Sequence, residues 1–124
     1  MTYTLDITIH GLPKLITNGQ KGSWRSAWAE SRKWHRIVEE QIVLQRLRPD
    51  APLKTARLVL TRYSSNEPDT DNLIAGFKGV IDALVRSKVI ENDRRENIGR
   101  PGVFWEYAPR NKGKIRIQLW EECA

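Results

Sequence analysis

Residues 55–87 read TARLVLTRYSSNEPDTDNLIAGFKGVIDALVRS, and the change of hydrophobic period inside this stretch decides the fold. Ala56, Leu58, Val59 and Leu60 lie in a run rich in aliphatic and β-branched residues, Thr55 to Tyr63, which predicts a strand. Glu67, Pro68 and Asp69 turn the chain. Leu73, Phe77, Ile81, Leu84 and Val85 then recur at three- and four-residue steps, predicting a helix from about Asn72 to Ser87. Asp71 stands just before that series, where a short acceptor side chain can cap the first turn. Gly76 and Gly79 weaken the first half of the helix, each costing about 1 kcal/mol relative to Ala.

Towards the N-terminus, Tyr3, Leu5, Ile7 and Ile9 alternate with Thr4, Asp6, Thr8 and His10, the period of a half-buried strand that Gly11 and Pro13 end. Residues 12–23, with Lys14, Gly19, Lys21 and Gly22, read as a flexible basic loop. From about Ser26 the pattern is helical, with Trp34, Ile37, Val38 and Val43 or Leu44 as its apolar face, until Pro49 stops it. Towards the C-terminus, Val89 and Ile90 form a short extended piece. Val103, Trp105 and Tyr107 alternate, as do Ile115, Ile117 and Leu119, and turn residues 109–113 between them predict a closing β-hairpin. The order strand, helix, strand, helix, hairpin argues for an α+β (mixed α/β) sheet with two helices on one face; the βα alternation also permits a parallel pair.

The chain has 124 residues, which suits a single domain over residues 1–124. Its apolar fraction of 40% and five tryptophans exclude a disordered tail. A single cysteine, Cys123, excludes an intrachain disulfide and a thiolate metal cage, and a reducing, cytoplasmic setting is expected. No apolar run approaches the roughly 20 residues that span a bilayer, and Asp6, His10 and Lys14 break up any leader-like segment, so no membrane partner is expected. The formal net charge of +6 suits a polyanion, because Lys and Arg neutralise phosphates and release counterions.

Against that charge, Glu67, Asp69 and Asp71 would repel a phosphate backbone unless a divalent cation lay between, and oxygen-only ligands favour a hard ion such as Mg²⁺. Asp69 and Asp71 are two apart and in an extended segment project from one side. Asp93 follows Asp71 by 22 residues, a separation that a helix and a return loop can close. Such a set binds Mg²⁺ for phosphodiester hydrolysis: the ion polarises a phosphoryl oxygen, lowers the pKa of a bound water and stabilises the leaving oxygen. The plainer account makes Asp71 a helix cap and Asp69 and Asp93 turn residues. An EF-hand fails, since its fifth and sixth positions would be Leu73 and Ile74 and its twelfth Val80. Asp71, Lys78 and Asp82 fall within roughly 20° of one face of a continuous helix. Lys78 and Asp82 then form an exposed i, i+4 pair, or Lys78 meets charge developing on the scissile phosphate.

Trp24, Arg25, Trp28, Arg32, Lys33 and Trp34 interleave aromatic and basic side chains, for which core tryptophans beside a solvated charged face are the plainer expectation. Phosphate contact is expected instead at Arg94 and Arg95, which follow Asp93, and among Arg110, Lys112, Lys114 and Arg116. His10 and His35 are read as structural, and neither Ser23 nor Cys123 as a nucleophile.

The string Pro68-Asp69-x-Asp71-Asn72-Leu73, then Lys78-x-x-x-Asp82-Ala83-Leu84, then Ile90-Glu91-Asn92-Asp93, resembles the RusA family of Holliday junction resolvases. The rest is looser: an opening strand, the basic loop with Pro13 and Asn18, a basic helix, and Asn111-Lys112-Gly113-Lys114 near the end. The resemblance implies a homodimer of mixed α/β fold that binds four-way junction DNA and makes paired, symmetric nicks with Mg²⁺ (or Mn²⁺) and no small-molecule cofactor. It implies Asp69, Asp71 and Asp93 as the catalytic, metal-holding aspartates and Lys78 as the catalytic lysine. Lys14, Arg94, Arg95 and Lys112 are the candidate DNA contacts. Two positions depart from the pattern: Lys78 follows Asp71 by seven residues where four is common, and Asn92 stands where an Asp-Asp pair is usual. The rival expectation is a non-catalytic junction- or duplex-binding protein on the same fold.

Overall fold

Strand β1 (Thr4–His10) buries Leu5, Ile7 and Ile9 and exposes every residue between them, as a strand covered on one face must. It opens a computed structural model that describes residues 3–14 and 24–122, the side chains of residues 24–27 excepted. The expectations for residues 15–23, for the Trp24 and Arg25 side chains and for Cys123 lie outside the described residues.

Helix α1 (Trp24–Leu44) turns Trp34, Val38 and Ile42 inward at four-residue steps. Val43 and Leu44, one of them expected on this face, are 57% and 68% exposed, because each further residue swings 100° away from Ile42. Strand β2 (Ala56–Ser64) follows as expected and buries Ala56, Leu58 and Leu60 in the core. The single helix expected next is two, α2 (Thr70–Gly76) and α3 (Lys78–Arg86), joined at Phe77. The Phe77 N–H bonds the Ile74 carbonyl at 3.1 Å, a tightened turn directly after Gly76, and the Phe77 ring is buried. Gly79 lets α3 pack close to α1: a Cβ there would stand 3.1 Å from the Ser31 Cα, a tight contact.

After α3, Lys88 takes positive φ and the chain returns at Ile90, which pairs in parallel with Leu53 ahead of β2. A single turn, α4 (Arg95–Ile98), leads to β3 (Gly102–Tyr107). A 3-10 turn at Arg110–Lys112 leads to β4 (Lys114–Glu121).

The expected closing hairpin does not form. The sheet order is β1-β4-β2-β3: β4 runs antiparallel to both β1 and β2, and β3 runs parallel to β2 on the edge. Burial explains the exchange. Ile115, Ile117 and Leu119 of β4 are all buried and suit a central strand, while no β3 residue is fully buried. The Ala108 N–H bonds the Ser64 carbonyl, so the connection passes the end of β2 and enters the sheet on its far side. The β2–β3 pair, bridged by α2 and α3, is the parallel unit that the helical crossover permits. The fold is thus α+β, a four-stranded sheet with its helices against one face. No described helix is long and apolar enough to cross a membrane.

Arg62 belongs to the covered face by register with Leu58 and Leu60 and is 8% exposed. Its Nη1 donates to the Pro13 carbonyl at 2.8 Å, and burial pulls its pKa below the ordinary arginine value. This bond ties the start of the basic loop to the sheet.

Candidate metal and nucleic-acid site

Asp69 is the N-cap residue of α2, with φ −59° and ψ 149°; its carbonyl accepts the Leu73 N–H at 2.9 Å, but its carboxylate makes no capping hydrogen bond. Asp71, expected before the helix, lies inside its first turn. The plainer account of a capping Asp71 therefore does not describe it. The chain becomes helical at Thr70, so the two carboxylates are carried on a cap and a first turn, not on the extended segment expected from their spacing. Both residues are exposed, and among the described residues neither side chain has a hydrogen bond or an ion pair within 4.0 Å.

Asp93 is also exposed, and its backbone N–H donates to the Asn92 Oδ1 at 2.8 Å. Its loop is fastened at both ends to the segment preceding β2. The Glu91 N–H bonds the Leu53 carbonyl, and the Asn97 amide bonds the Lys54 carbonyl. Asp69 and Asp71 follow the opposite end of β2, with α2 and α3 between the two anchorages. Among the described residues no group of three His, Cys, Asp or Glu side chains is arranged to hold a metal ion. The structure places Asp69 with Asp71 and holds Asp93 separately. Arg94 and Arg95 begin α4 beside Asp93, Arg94 approaching Glu96 at 3.8 Å; Lys112 is exposed in the 3-10 turn at the end of the sheet where β2 departs for Asp69.

The structure does bring Lys14 and Lys78 together. Both line a cavity of about 370 Å³ between α1 and the α2–α3 junction, with Trp28, Glu30, Trp34 and Asp82. Glu30 organises it: its Oε1 accepts the Lys14 backbone N–H at 2.8 Å and the Trp34 indole N–H at 3.2 Å. The expected Lys78–Asp82 pair is replaced by a contact between Asp82 and His35 at 4.0 Å, and Ser31 Oγ lies 3.4 Å from the same ring nitrogen. The tryptophans divide: Trp34 is core, but Trp28 is 57% exposed, with the Arg32 guanidinium 4.8 Å above its ring. Sequence reasoning passed over Glu30. The i, i+4 spacings Glu30–Trp34 and Trp28–Arg32 were the available signal.

Burial, together with Arg86 and Arg32, holds the His35 pKa below the ordinary histidine value, against the pull of Asp82 and Glu39. The unfolded chain then binds more protons just below pH 6.5 than the folded one, so stability is full above that pH and falls as His35 is forced to protonate. His35→Gln should flatten the stability profile below pH 6.5 in urea titrations. A profile as steep as the parent's would show that other groups set it.

A scan of protein-family models finds no match to the chain, and a search of the curated proteins finds none.

Proposed function

We propose that this chain is a Mg²⁺-dependent, structure-selective endodeoxyribonuclease that resolves four-way DNA junctions by paired nicks, as its resemblance to RusA-family resolvases implies. The observation that carries the reading is the pair Asp69 and Asp71: two exposed carboxylates with no ion pair or capping bond among the described residues, in a chain of net charge +6. Carboxylates without a structural partner fit a hard cation, and Mg²⁺ characteristically takes one or two of them while phosphate oxygens and waters complete its shell. When bound, the ion supplies a polarised phosphoryl oxygen and an acidified water.

The chain's own groups do the rest. Asp69 and Asp71 would hold the ion, and their charge would set where it stands against the phosphodiester. The resemblance makes Asp93 the third carboxylate, although its loop is anchored apart from the pair; Arg94 and Arg95 beside it contact flanking phosphates, as does Lys112. Lys78, which lines one cavity with Lys14, meets charge on the scissile phosphate. A homodimer presents two equivalent sites to the two opposed strands of a two-fold symmetric junction. The cytoplasm is the compartment for such a protein.

One observation favours the rival of a non-catalytic binder: the Asp93 loop is anchored apart from Asp69 and Asp71. Metal dependence separates the two. The nuclease cuts a labelled junction with Mg²⁺ and only binds it in EDTA, whereas a binder leaves it intact in both. Lys78→Ala should slow cutting about a hundredfold, the size of a lost electrostatic contact in the transition state. An equal fall in junction affinity would make Lys78 an ordinary phosphate contact instead.

A further inference from the structure

The cavity between α1 and the α2–α3 junction has one wall of small residues, Ala75, Gly76 and Gly79, and another of Trp28 and Trp34. Its volume of about 370 Å³ lies at the small end of the range for pockets that take one small ligand. Trp34 is committed to Glu30, whereas Trp28 is 57% exposed, with the Arg32 guanidinium over its ring. The carboxylates of the cavity already have neighbours. Glu30 Oε1 holds the Lys14 N–H and the Trp34 indole, and Asp82 faces His35. The Lys14 and Lys78 ammonium groups have no carboxylate within 4.0 Å among the described residues, and both residues are exposed. Lys14 is also held in place from behind, because the carbonyl of the preceding Pro13 accepts a hydrogen bond from buried Arg62.

An exposed indole that shares a cavity with two lysines lacking a carboxylate partner among the described residues is complementary to a nucleotide: a base stacks on the ring and a phosphate pairs with the ammonium groups. We infer that this cavity binds one unstacked nucleotide at the branch point of the DNA, its base against Trp28 and its phosphate between Lys14 and Lys78. The inference rests on the nuclease reading and extends it, since it assigns the cavity to a single-stranded feature that linear duplex does not offer. Stacking against Trp28 tolerates any base, so the site recognises branching and not sequence.

The test is photocrosslinking with 5-iodouracil at the branch point of a four-way junction, bound in EDTA so that the strands stay intact. The crosslink should map to Trp28. Mapping to Tyr63, Phe104 or Trp120 on the open face of the sheet overturns the inference. A second variant, Ala75→Leu, fills the cavity from an exposed position, and its unfolding midpoint reports whether the fold is kept. It should weaken junction binding roughly tenfold, the size of one lost base–aromatic stack, with less than about a twofold change on linear duplex. Equal losses on both substrates, or none on either, overturn the inference. If the parent protein neither binds nor cuts a junction, the nuclease reading fails and this inference with it. If the parent cuts normally while Ala75→Leu binds as tightly, only the inference fails.

Discussion

Asp71→Asn should abolish Mg²⁺-dependent junction cutting, lowering the rate roughly a thousandfold or more, while junction affinity in EDTA stays equal or rises. The substitution keeps the side chain's shape and removes one negative charge that would face the phosphate. Its structural cost is small. Asp71 is exposed in the first turn of α2 and caps nothing, so the fold loses only its favourable interaction with the helix N-terminus, about 0.3–1 kcal/mol. Cutting rates and the unfolding midpoint therefore separate. If cutting survives, Asp71 holds no essential metal. If binding, cutting and stability fall together, the residue serves the fold.

Phe77→Ala should remove about 3–5 kcal/mol of stability, the usual loss for a phenylalanine truncated in a core that cannot collapse around the gap. Phe77 is 1% exposed and sits where α2 gives way to α3, with its N–H on Ile74 and its carbonyl accepting from Ile81 at 3.0 Å. Its ring therefore fixes two helices, one carrying Asp71 and the other beginning at Lys78. A domain of this size has roughly 6–19 kcal/mol in total, so the loss is a large fraction of it. In urea unfolding the midpoint should fall with the slope unchanged. Ile81→Ala, from a half-buried position on the next turn, should cost clearly less. A loss below about 1 kcal/mol at Phe77 would mean that the junction between the helices repacks.

Local patterns were legible where one face of one element decides burial. Leu5, Ile7 and Ile9 announced β1, and the change of period after Tyr63 announced the β2-to-helix crossover. Partners were not legible. Val103, Trp105 and Tyr107 alternate like a strand, but alternation does not say which strand lies alongside; the short turn at residues 109–113 suited a hairpin as well as it suits the passage over the end of β2. The Phe77 junction was half visible in Gly76 and Gly79. Its form depended on where α1 crosses α3, a tertiary fact that appears only in the approach of Gly79 to Ser31.

The candidate site divides in the same way. Residue chemistry picked out Asp69 and Asp71, and the structure shows them exposed and uncapped. That the loop carrying Asp93 is tied to Leu53 and Lys54 follows from bonds made by Glu91 and Asn97, between segments about 40 residues apart, which no local pattern encodes. The meeting of Lys14 with Lys78 likewise depends on Glu30 and Arg62 holding the loop's first residues, two long-range bonds without a periodic trace.

The most direct test of the account is to label each of the four strands of a synthetic junction in turn, incubate it with the protein and Mg²⁺, and map every nick. The account predicts nicks only in two opposed strands, at symmetric positions and with ends that ligase reseals, and none in linear duplex of the same sequence. Nicks scattered over all four strands, or equal cutting of the linear duplex, would contradict it.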